Sequence, residues 1–371
     1  MPKYRVGIIG CGRKGTGHAR TYQLNPKTEV VAAADTDPEN LELFCKRFNV
    51  PGYASYREML EKEKIDIAAP ILPVIANPDA VVACAEAGVK AVFCEKPISA
   101  TLADADRMVE ACRSRGILFA CGDAYVSFPQ LWKAREMIEA GELGELQSIN
   151  LYQSTTEISG GGCQGLCVMQ MFAWDDEVDW VVGWVKDDPH SDDDQGMGGC
   201  VRFKNGIECF IHCKACAKQG IEVLCSKGVF FSDWYTFRLW KSGDKPSARF
   251  ADLKEVEGLF PGAGIGENFY DESGWLTPGT RNMHGVQSMV DALEKGQEPS
   301  CTGENMRTSL EIAIALRESH RRSFQPVKMP LEDRKLMIMP VPARWLNKKE
   351  VHGREWYAQQ IGRWTKQQSP Q

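Results

Sequence analysis

Short apolar runs alternate with longer amphipathic segments through the first third of the chain. The apolar runs predict strands at residues 4–9, 29–34, 65–72, 90–94 and 117–121. The segments between them predict helices at 38–48, 56–64, 79–88 and 101–115, with Asp37 and either Ser99 or Thr101 placed as N-caps. Strands that alternate with helices in this way predict βαβ units, and hence an α/β Rossmann domain with a doubly wound parallel sheet.

The pattern changes in the second half of the chain. Alternating runs predict strands at 146–154, 201–203, 207–214 and 229–240. The turn Lys204-Asn205-Gly206 favours a β-hairpin, because Asn-Gly tolerates the positive φ angles of such turns. Helices are predicted at 129–140, 283–295 and 305–322. We therefore predict a second, α+β domain with a mostly antiparallel sheet.

The chain is long enough for two domains, because 371 residues exceed what one hydrophobic core usually supports. We expect a first domain over residues 1–123, a second over 124–334 and a basic tail over 335–371. The tail carries Trp345, Trp356 and Trp364. These tryptophans predict that it packs on its own domain or on a neighbouring subunit.

A glycine motif, Gly10-Cys11-Gly12-Arg13-Lys14-Gly15, follows the first predicted strand. In this context the first glycine permits a tight turn, the second lets the backbone approach a pyrophosphate, and the third lets the helix pack closely on the sheet. The free N–H groups of the helix N-terminus point at the anion. Asp35, which ends the second strand, can accept hydrogen bonds from a ribose diol and would repel a 2′-phosphate. The motif predicts NAD as cofactor, with NADP left open by the cations Arg13 and Lys14.

Glu95-Lys96-Pro97 follows another predicted strand, at the edge where doubly wound folds form their binding crevice. Pro97 disfavours a helical conformation at Lys96 and could aim its amine at a substrate beside the nicotinamide. An amine in that place can donate a hydrogen bond to a carbonyl, or relay a proton from a hydroxyl if its pKa is lowered. Lys96 is therefore a candidate catalytic residue.

These motifs together resemble the glucose–fructose oxidoreductase / inositol dehydrogenase / MocA (Gfo/Idh/MocA) family. The resemblance also includes His18, Leu72-Pro73 and the hairpin at 202–206, and it extends over residues 4–332. It implies a Rossmann domain joined to a larger domain whose open sheet supports homo-dimers or homo-tetramers. It implies NAD(P)-dependent chemistry on sugars or cyclitols, with Lys96 in substrate binding and proton relay. The cofactor residues that it implies are Gly10, Cys11, Gly12, Arg13, Lys14, Gly15, Asp35, Leu72, Pro73, Asn77, Glu95, Lys96 and Pro97.

One stretch departs from the family pattern, which commonly has Asp-x-Gly-x-His ahead of an aspartate-bearing helix, with the histidine as acid/base. Matching Asp179 to the helix aspartate places Asp176 at the histidine and Phe172 at the upstream aspartate. The neighbouring carboxylates of Asp175 and Asp176 could raise each other's pKa, so that Asp176 serves as the general base. The alternative role for this pair is to stabilise a helix N-terminus.

Other polar features are candidate substrate contacts or solvated loops. His284 could reach a sugar hydroxyl in place of the missing histidine, and residues 160–162, three glycines, predict a bend over the pocket. We interpret the acidic loop at 187–194 as solvated, and expect no metal, because Cys213-x-x-Cys216 lacks a second such pair. The candidate substrate residues are Lys96, Tyr125, Trp174, Asp175, Asp176 and His284.

The bulk composition excludes several classes of protein. A net charge of −6 gives no electrostatic footprint for nucleic acid or an anionic membrane, and there is no apolar run long enough to span a bilayer. The first strand begins almost at once, so we expect no signal peptide, and fourteen cysteines then predict reduced thiols in the cytoplasm. The sequence predicts an NAD-dependent sugar or cyclitol dehydrogenase. The alternatives are an NAD-dependent glycosidase that acts by transient oxidation and elimination, and a non-catalytic dinucleotide sensor.

Overall fold

The computed structural model describes residues 3–122, 125–153, 157–212, 219–243, 252–260 and 281–340. The predictions made for Cys213, Cys216, Trp345, Trp356 and Trp364 fall outside these residues. Among the helices that the structure describes, none combines the length and the apolar composition needed to cross a membrane.

The N-terminal half is a parallel sheet with helices packed against it. Its strands are β1 (Tyr4–Ile9), β2 (Thr28–Ala34), β3 (Gly52–Tyr53), β4 (Ile67–Pro70), β5 (Ala91–Glu95) and β6 (Leu118–Gly122). Its helices are α1 (Arg13–Leu24), α2 (Pro38–Phe48), α3 (Tyr56–Lys62), α4 (Asn77–Glu86) and α5 (Leu102–Arg113). The strand order β3-β2-β1-β4-β5-β6 reverses direction between β1 and β4. This confirms the predicted Rossmann sheet, and the reversal is the switch point at which such sheets bind ligands.

Local sequence signals place these helices. The Asp37 carboxylate accepts hydrogen bonds from the N–H groups of Glu39 and Asn40, at 3.1 and 3.2 Å, and caps α2 as predicted. Thr101, rather than Ser99, caps α5, because its Oγ1 accepts a hydrogen bond from Asp104 N at 3.1 Å.

The second half contains a large sheet that is antiparallel except where β7 pairs with β10. Its strands are β7 (Leu146–Tyr152), β8 (Val178–Val185), β9 (Met197–Phe203), β10 (Glu208–His212), β11 (Gly220–Cys225), β12 (Gly228–Ser232), β13 (Phe237–Ser242), β14 (Leu253–Glu255) and β15 (Val327–Lys328). The described strands lie in the order β14-β13-β12-β11-β7-β10-β9-β8-β15. The helices are α6 (Pro129–Glu139), α7 (Cys163–Phe172), α8 (Arg281–Lys295) and α9 (Gly303–Arg321). The predicted mostly antiparallel sheet is confirmed.

Residues 178–185 correct the match of Asp179 to a helix aspartate, since they form strand β8 and pair with β9. The physical reason lies in their side chains: Val and Trp favour a pleated surface, and this segment has a neighbouring strand with which to pair. The helix of this region is α7, which lies earlier in the chain and is buried along its whole length.

The N-terminal and second halves of the chain pack against each other at several places. Val286 and Met289 of α8 pack in the same hydrophobic cluster as Val6 and Ile8 of β1. The beginning of the predicted tail also packs on the body of the protein, because Leu102 N donates to the carbonyl of residue 336 at 3.1 Å. Helix α8 and residues 336–338 therefore pack on the N-terminal half of the protein.

Candidate active site

The three motif glycines have different structural reasons. Gly10 has a φ of 98°, and a Cβ atom there would lie 2.4 Å from the carbonyl oxygen of Ile71. A Cβ atom on Gly15 would lie 1.8 Å from the carbonyl oxygen of Gly10, so the close packing of α1 requires this glycine. A Cβ atom on Gly12 would meet no atom within 4 Å. Packing therefore does not explain the glycine at position 12, whereas a ligand that approaches its backbone does.

The beginning of α1 is available to an anion. Its N-cap residue, Gly12, provides no side-chain hydrogen bond, and neither of the exposed residues Arg13 and Lys14 is acidic. The first N–H groups of a helix have no partner within the helix, and they carry partial positive charge. The residues at this turn thus fit a pyrophosphate.

Asp35 lies at the end of β2 beside this turn. Its Oδ2 accepts a hydrogen bond from Cys11 N at 2.6 Å, and its Oδ1 accepts one from Asp37 N at 2.8 Å. The Cys11 side chain is buried, and burial raises the pKa of its thiol, so Cys11 is a packing residue rather than a nucleophile. Leu72 contributes the other wall, because its Cδ2 lies 3.1 Å from the Cβ position of Gly10, and Pro73 follows it in the chain.

Asn77 holds the backbone on both sides of Lys96. Its Nδ2 donates to the carbonyl oxygens of Glu95, at 3.2 Å, and Pro97, at 3.3 Å. Its Oδ1 is buried and has no hydrogen-bond partner among the described residues. Buried polar atoms are nearly always satisfied, so this oxygen fits a donor group on a bound ligand.

Glu95 is held on both carboxylate oxygens. Oε1 accepts from Nε2 of the buried His18 at 3.1 Å, and Oε2 accepts from Lys96 N at 2.8 Å. Burial raises the pKa of Glu95, but the His18 hydrogen bond and the nearby lysine charges outweigh it and lower the pKa to about 2. Glu95 is therefore ionised across the physiological range and fixes the start of the Lys96 segment.

Lys96 extends from the end of β5 toward the segment that precedes α7. Its Nζ donates to the carbonyl oxygen of Ser159 at 3.1 Å. Ser159 belongs to a short irregular helical segment, Ile158–Gly162, in which Gly161 has a φ of 149°. The predicted glycine bend is thus present, and the chain just before it contacts the candidate catalytic lysine.

Sequence reasoning missed one residue of this region, Asp194. The acidic loop was expected to be solvated, yet Asp194 is 6% exposed and accepts hydrogen bonds from the backbone of residues 158 and 159. Burial raises the pKa of its carboxyl to about 6. No local signal could have revealed this, because the donors lie about 35 positions away in the chain.

Asp175 and Asp176 are not brought to Lys96. They follow the C-terminal end of α7, whereas Ser159 precedes its N-terminal end; ten helical residues span about 15 Å. Asp175 accepts from Arg135 Nη1 at 2.7 Å, and Asp176 accepts from Asn205 N at 2.7 Å. This separation argues against the expectation that Asp176 acts as a general base beside Lys96. Asp175 links the end of α7 to α6, and Asp176 links it to the turn between β9 and β10.

The aromatic candidates separate into two places. Trp174 lies with Asp175 at the far end of α7, where its ring is 5.4 Å from the guanidinium carbon of Arg135. Tyr125 lies just past β6, which pairs with β5. Its ring stacks on the ring of Trp234, with 4.6 Å between the ring centroids. The His284 ring meets Phe128 edge-on at 6.1 Å, and burial lowers the pKa of its imidazole. Tyr125 and His284 therefore remain candidate substrate contacts, whereas Trp174 lies with Asp175 at the far end of α7 from Ser159.

The cofactor candidates converge on one edge of the N-terminal sheet, at the carboxyl ends of β1, β2, β4 and β5. This edge combines a helix N-terminus that fits an anion, the Asp35 carboxylate and Lys96. Within the described ranges, no group of three or more His, Cys, Asp or Glu side chains is placed to hold a metal ion.

Comparisons with known proteins agree with this geometry. Residues 4–122 match the model of an oxidoreductase family with an NAD-binding Rossmann fold. The chain is 28% identical to myo-inositol 2-dehydrogenase from Thermotoga maritima over 253 residues, which is 62% of this chain and 75% of that protein. It is 32% identical to a mouse trans-1,2-dihydrobenzene-1,2-diol dehydrogenase over 146 residues, which is 38% of this chain and 44% of that protein.

Solved structures share the fold over most of this chain. A levoglucosan dehydrogenase in complex with NADH and levoglucosan has a TM-score of 0.70 at 18% identity, over 88% of this chain and 99% of that chain. An NAD-binding oxidoreductase from Klebsiella pneumoniae has a TM-score of 0.71 at 17% identity, over 89% of this chain and 100% of that chain. At these identities the likeness concerns the fold. Residues 4–122 therefore form a Rossmann domain of the kind found in the Gfo/Idh/MocA oxidoreductase family.

Proposed function

We propose that this protein is an NAD-dependent dehydrogenase that transfers a hydride between the nicotinamide and a secondary hydroxyl or ketone of a sugar or cyclitol. The observation that carries the proposal is the position of Lys96, whose Nζ is held by a backbone carbonyl at 3.1 Å beside the nucleotide edge. The names of the Thermotoga inositol dehydrogenase and of the levoglucosan dehydrogenase support the substrate class.

The residues of the crevice divide the work. The glycine turn and the N-terminus of α1 would hold the pyrophosphate, Asp35 the adenine ribose, and the free Oδ1 of Asn77 a donor group. A bound nicotinamide supplies the hydride acceptor. Lys96 takes the hydroxyl proton when its amine is neutral, and its ammonium polarises the ketone in the reverse direction. His284, whose imidazole pKa is lowered by burial, and Tyr125 are proposed substrate contacts.

NAD is proposed over NADP because of Asp35. A carboxylate at the end of β2 accepts hydrogen bonds from a ribose diol and repels a 2′-phosphate. Asp35 is fixed by two backbone N–H groups, and this orientation supports the discrimination.

We further propose a homo-oligomer formed through the outer face of the second sheet. Trp184 on β8 and Phe210 on β10 are 41% and 39% exposed on the single chain. Large exposed aromatic side chains on a sheet favour burial against a second copy. Light scattering of wild-type and Phe210→Glu protein tests the oligomer, since the variant should dissociate.

A cytoplasmic location is proposed as well, supported by the described cysteines, which are free thiols.

The experiment that tests the activity is a screen of aldoses, uronates, cyclitols and glycosides with NAD, following NADH absorbance and identifying products by NMR. With the substrate found, Lys96→Ala should lower kcat by about 100-fold or more, the usual contribution of a proton-transfer group. The Kd for NAD should stay unchanged. Lys90→Ala is the matched control, because Lys90 precedes the opposite end of β5. Wild-type turnover by Lys96→Ala would refute the assignment, and glycoside cleavage without net NADH would favour the elimination mechanism.

A further inference from the structure

Asp194 precedes β9, and its buried carboxylate is committed to two consecutive residues of another segment. Oδ1 accepts from Ile158 N at 2.8 Å, while Oδ2 accepts from Ser159 N at 2.8 Å and from Ser159 Oγ at 2.6 Å. The backbone N–H of Asp194 donates to the carbonyl oxygen of residue 339 at 2.9 Å. The backbone of Asp194 is thus anchored to residue 339, while its carboxylate binds the backbone of Ile158 and Ser159.

The same segment ends in the contact with Lys96. The carbonyl oxygen of Ser159, whose N–H and hydroxyl both donate to Asp194, accepts the hydrogen bond from Lys96 Nζ at 3.1 Å. One residue therefore joins the buried carboxylate to the lysine. An ammonium group has three donor hydrogens, so this bond fixes the direction of the amine and leaves the remaining positions for a substrate.

Burying a charged carboxylate to hold a loop in place costs free energy. Burial raises the pKa of Asp194 to about 6, and the three hydrogen bonds only partly oppose this effect. Glu157, whose Oε2 is buried without a partner among the described residues, adds a like charge nearby. A neutral side chain would cost less but could accept fewer hydrogen bonds from the donors, which points to a requirement for this orientation of Ser159.

We propose that Asp194 is a positioning residue for Lys96, which it orients through the backbone of Ser159. The inference rests on the proposed function only in taking Lys96 as the group that handles the proton. Without the carboxylate, the Ser159 carbonyl loses its fixed position and Lys96 samples orientations that do not face the substrate.

The test compares Asp194→Asn and Asp194→Ala with two controls. Asn keeps one acceptor oxygen but turns an NH₂ toward donor groups, and Ala removes every acceptor. Asp187→Asn is the matched control, because it makes the same chemical change at an exposed position of the same loop. Ser159→Ala, the second comparison, removes one of the three hydrogen bonds to the carboxylate and keeps the carbonyl and the N–H, so its effect on kcat should be smaller than that of Asp194→Asn.

Two readouts separate positioning from general damage. For Asp194→Asn, kcat for the substrate found in the screen should fall about tenfold or more, while the Kd for NAD and the KM for NAD stay unchanged. Competitive labelling with acetic anhydride, read by peptide mass spectrometry, should show severalfold faster acetylation of Lys96, with Lys62 as internal reference. Thermal denaturation checks that each variant is folded. If Asp194→Ala does not fold, the test is made on Asp194→Asn alone.

The outcomes distinguish this inference from the proposed function. Unchanged Lys96 acetylation in folded Asp194→Asn overturns the positioning role, even if kcat falls. Wild-type turnover by Lys96→Ala refutes the catalytic assignment, while the labelling still decides whether Asp194 orients the lysine. Faster acetylation with reduced kcat and unchanged NAD affinity supports both.

Discussion

Nε2 of His18 lies 3.1 Å from Oε1 of Glu95, and this pair joins the helix that follows the glycine turn to the residue before Lys96. The side chains are 3% and 14% exposed. The second oxygen of Glu95 accepts from Lys96 N. The glycine turn and the candidate catalytic lysine are therefore held in one hydrogen-bonded unit, so a change in Glu95 should affect both the stability of the fold and the placement of Lys96.

Replacing Glu95 with Gln should destabilise the protein in a pH-dependent way. The pKa of Glu95 falls to about 2 in the fold from its ordinary 4.5, so the ionised form stabilises the folded state above pH 4.5. This contribution is lost as the pH falls toward 2, and a shift of this size corresponds to a free energy on the order of 3 kcal/mol. Urea unfolding of both proteins at several pH values measures it. A wild-type minus variant difference that stays constant below pH 4.5 would contradict the prediction.

Two glycine substitutions in the same turn should have opposite consequences. Gly12→Ala should leave the melting temperature of the cofactor-free protein unchanged, because its Cβ meets nothing within 4 Å, but should weaken NAD binding. Gly15→Ala should destabilise the fold, because its Cβ would lie 1.8 Å from the Gly10 carbonyl oxygen. Overpacking of this kind typically costs about 1–3 kcal/mol.

Thermal denaturation without cofactor and calorimetric titration with NAD separate the two effects. Each variant serves as the control of the other, because both add one methyl group within four positions of each other. Unchanged NAD affinity in Gly12→Ala would mean that the pyrophosphate does not approach this backbone.

Most of the N-terminal fold could be predicted because its signals are local. The cap of α2 lies within three residues of its partners, and β1 and α2 have the predicted limits. The antiparallel character of the second sheet could be predicted but its strand order could not, because β7 pairs with β10 and β11, which lie about 60–80 positions away. Pairing over such distances depends on packing that a single sequence does not display.

In the candidate site too, the residues with local sequence signals could be predicted and those that depend on distant segments could not. The glycine turn, Asp35 and Lys96 could be found because each stands at the end of a strand, and parallel strands bring those ends together. The family pattern pointed to Asp176 because it aligns over residues 171–183, whereas the Val and Trp of that stretch favour the strand that the structure shows. Asp194 was missed because an acidic loop usually faces solvent, and its donors come from a distant segment.

Replacing Asp35 with Ala should relax the cofactor preference. The substitution removes the acceptor for a ribose diol and the charge that repels a 2′-phosphate, so the ratio of the Kd values for NADP and NAD should fall about tenfold or more. The variant also loses the contact to Cys11 N at 2.6 Å, which will weaken both cofactors. The ratio, measured by fluorescence titration, is therefore the informative quantity. An unchanged ratio would show that Asp35 only supports the turn.

Replacing Asp176 with Ala should change stability and not catalysis. Its carboxylate accepts from Glu177 N at 2.8 Å and from Asn205 N at 2.7 Å, which ties the end of α7 to the turn between β9 and β10. Loss of these bonds should lower the free energy of unfolding by about 1 kcal/mol, since a single exposed hydrogen bond contributes about that much or less. Because α7 separates Asp176 from Ser159 by its full length, kcat should match the wild type under conditions in which both proteins are folded. A fall in kcat comparable to that of Lys96→Ala, with an unchanged melting temperature, would show that Asp176 takes part in catalysis.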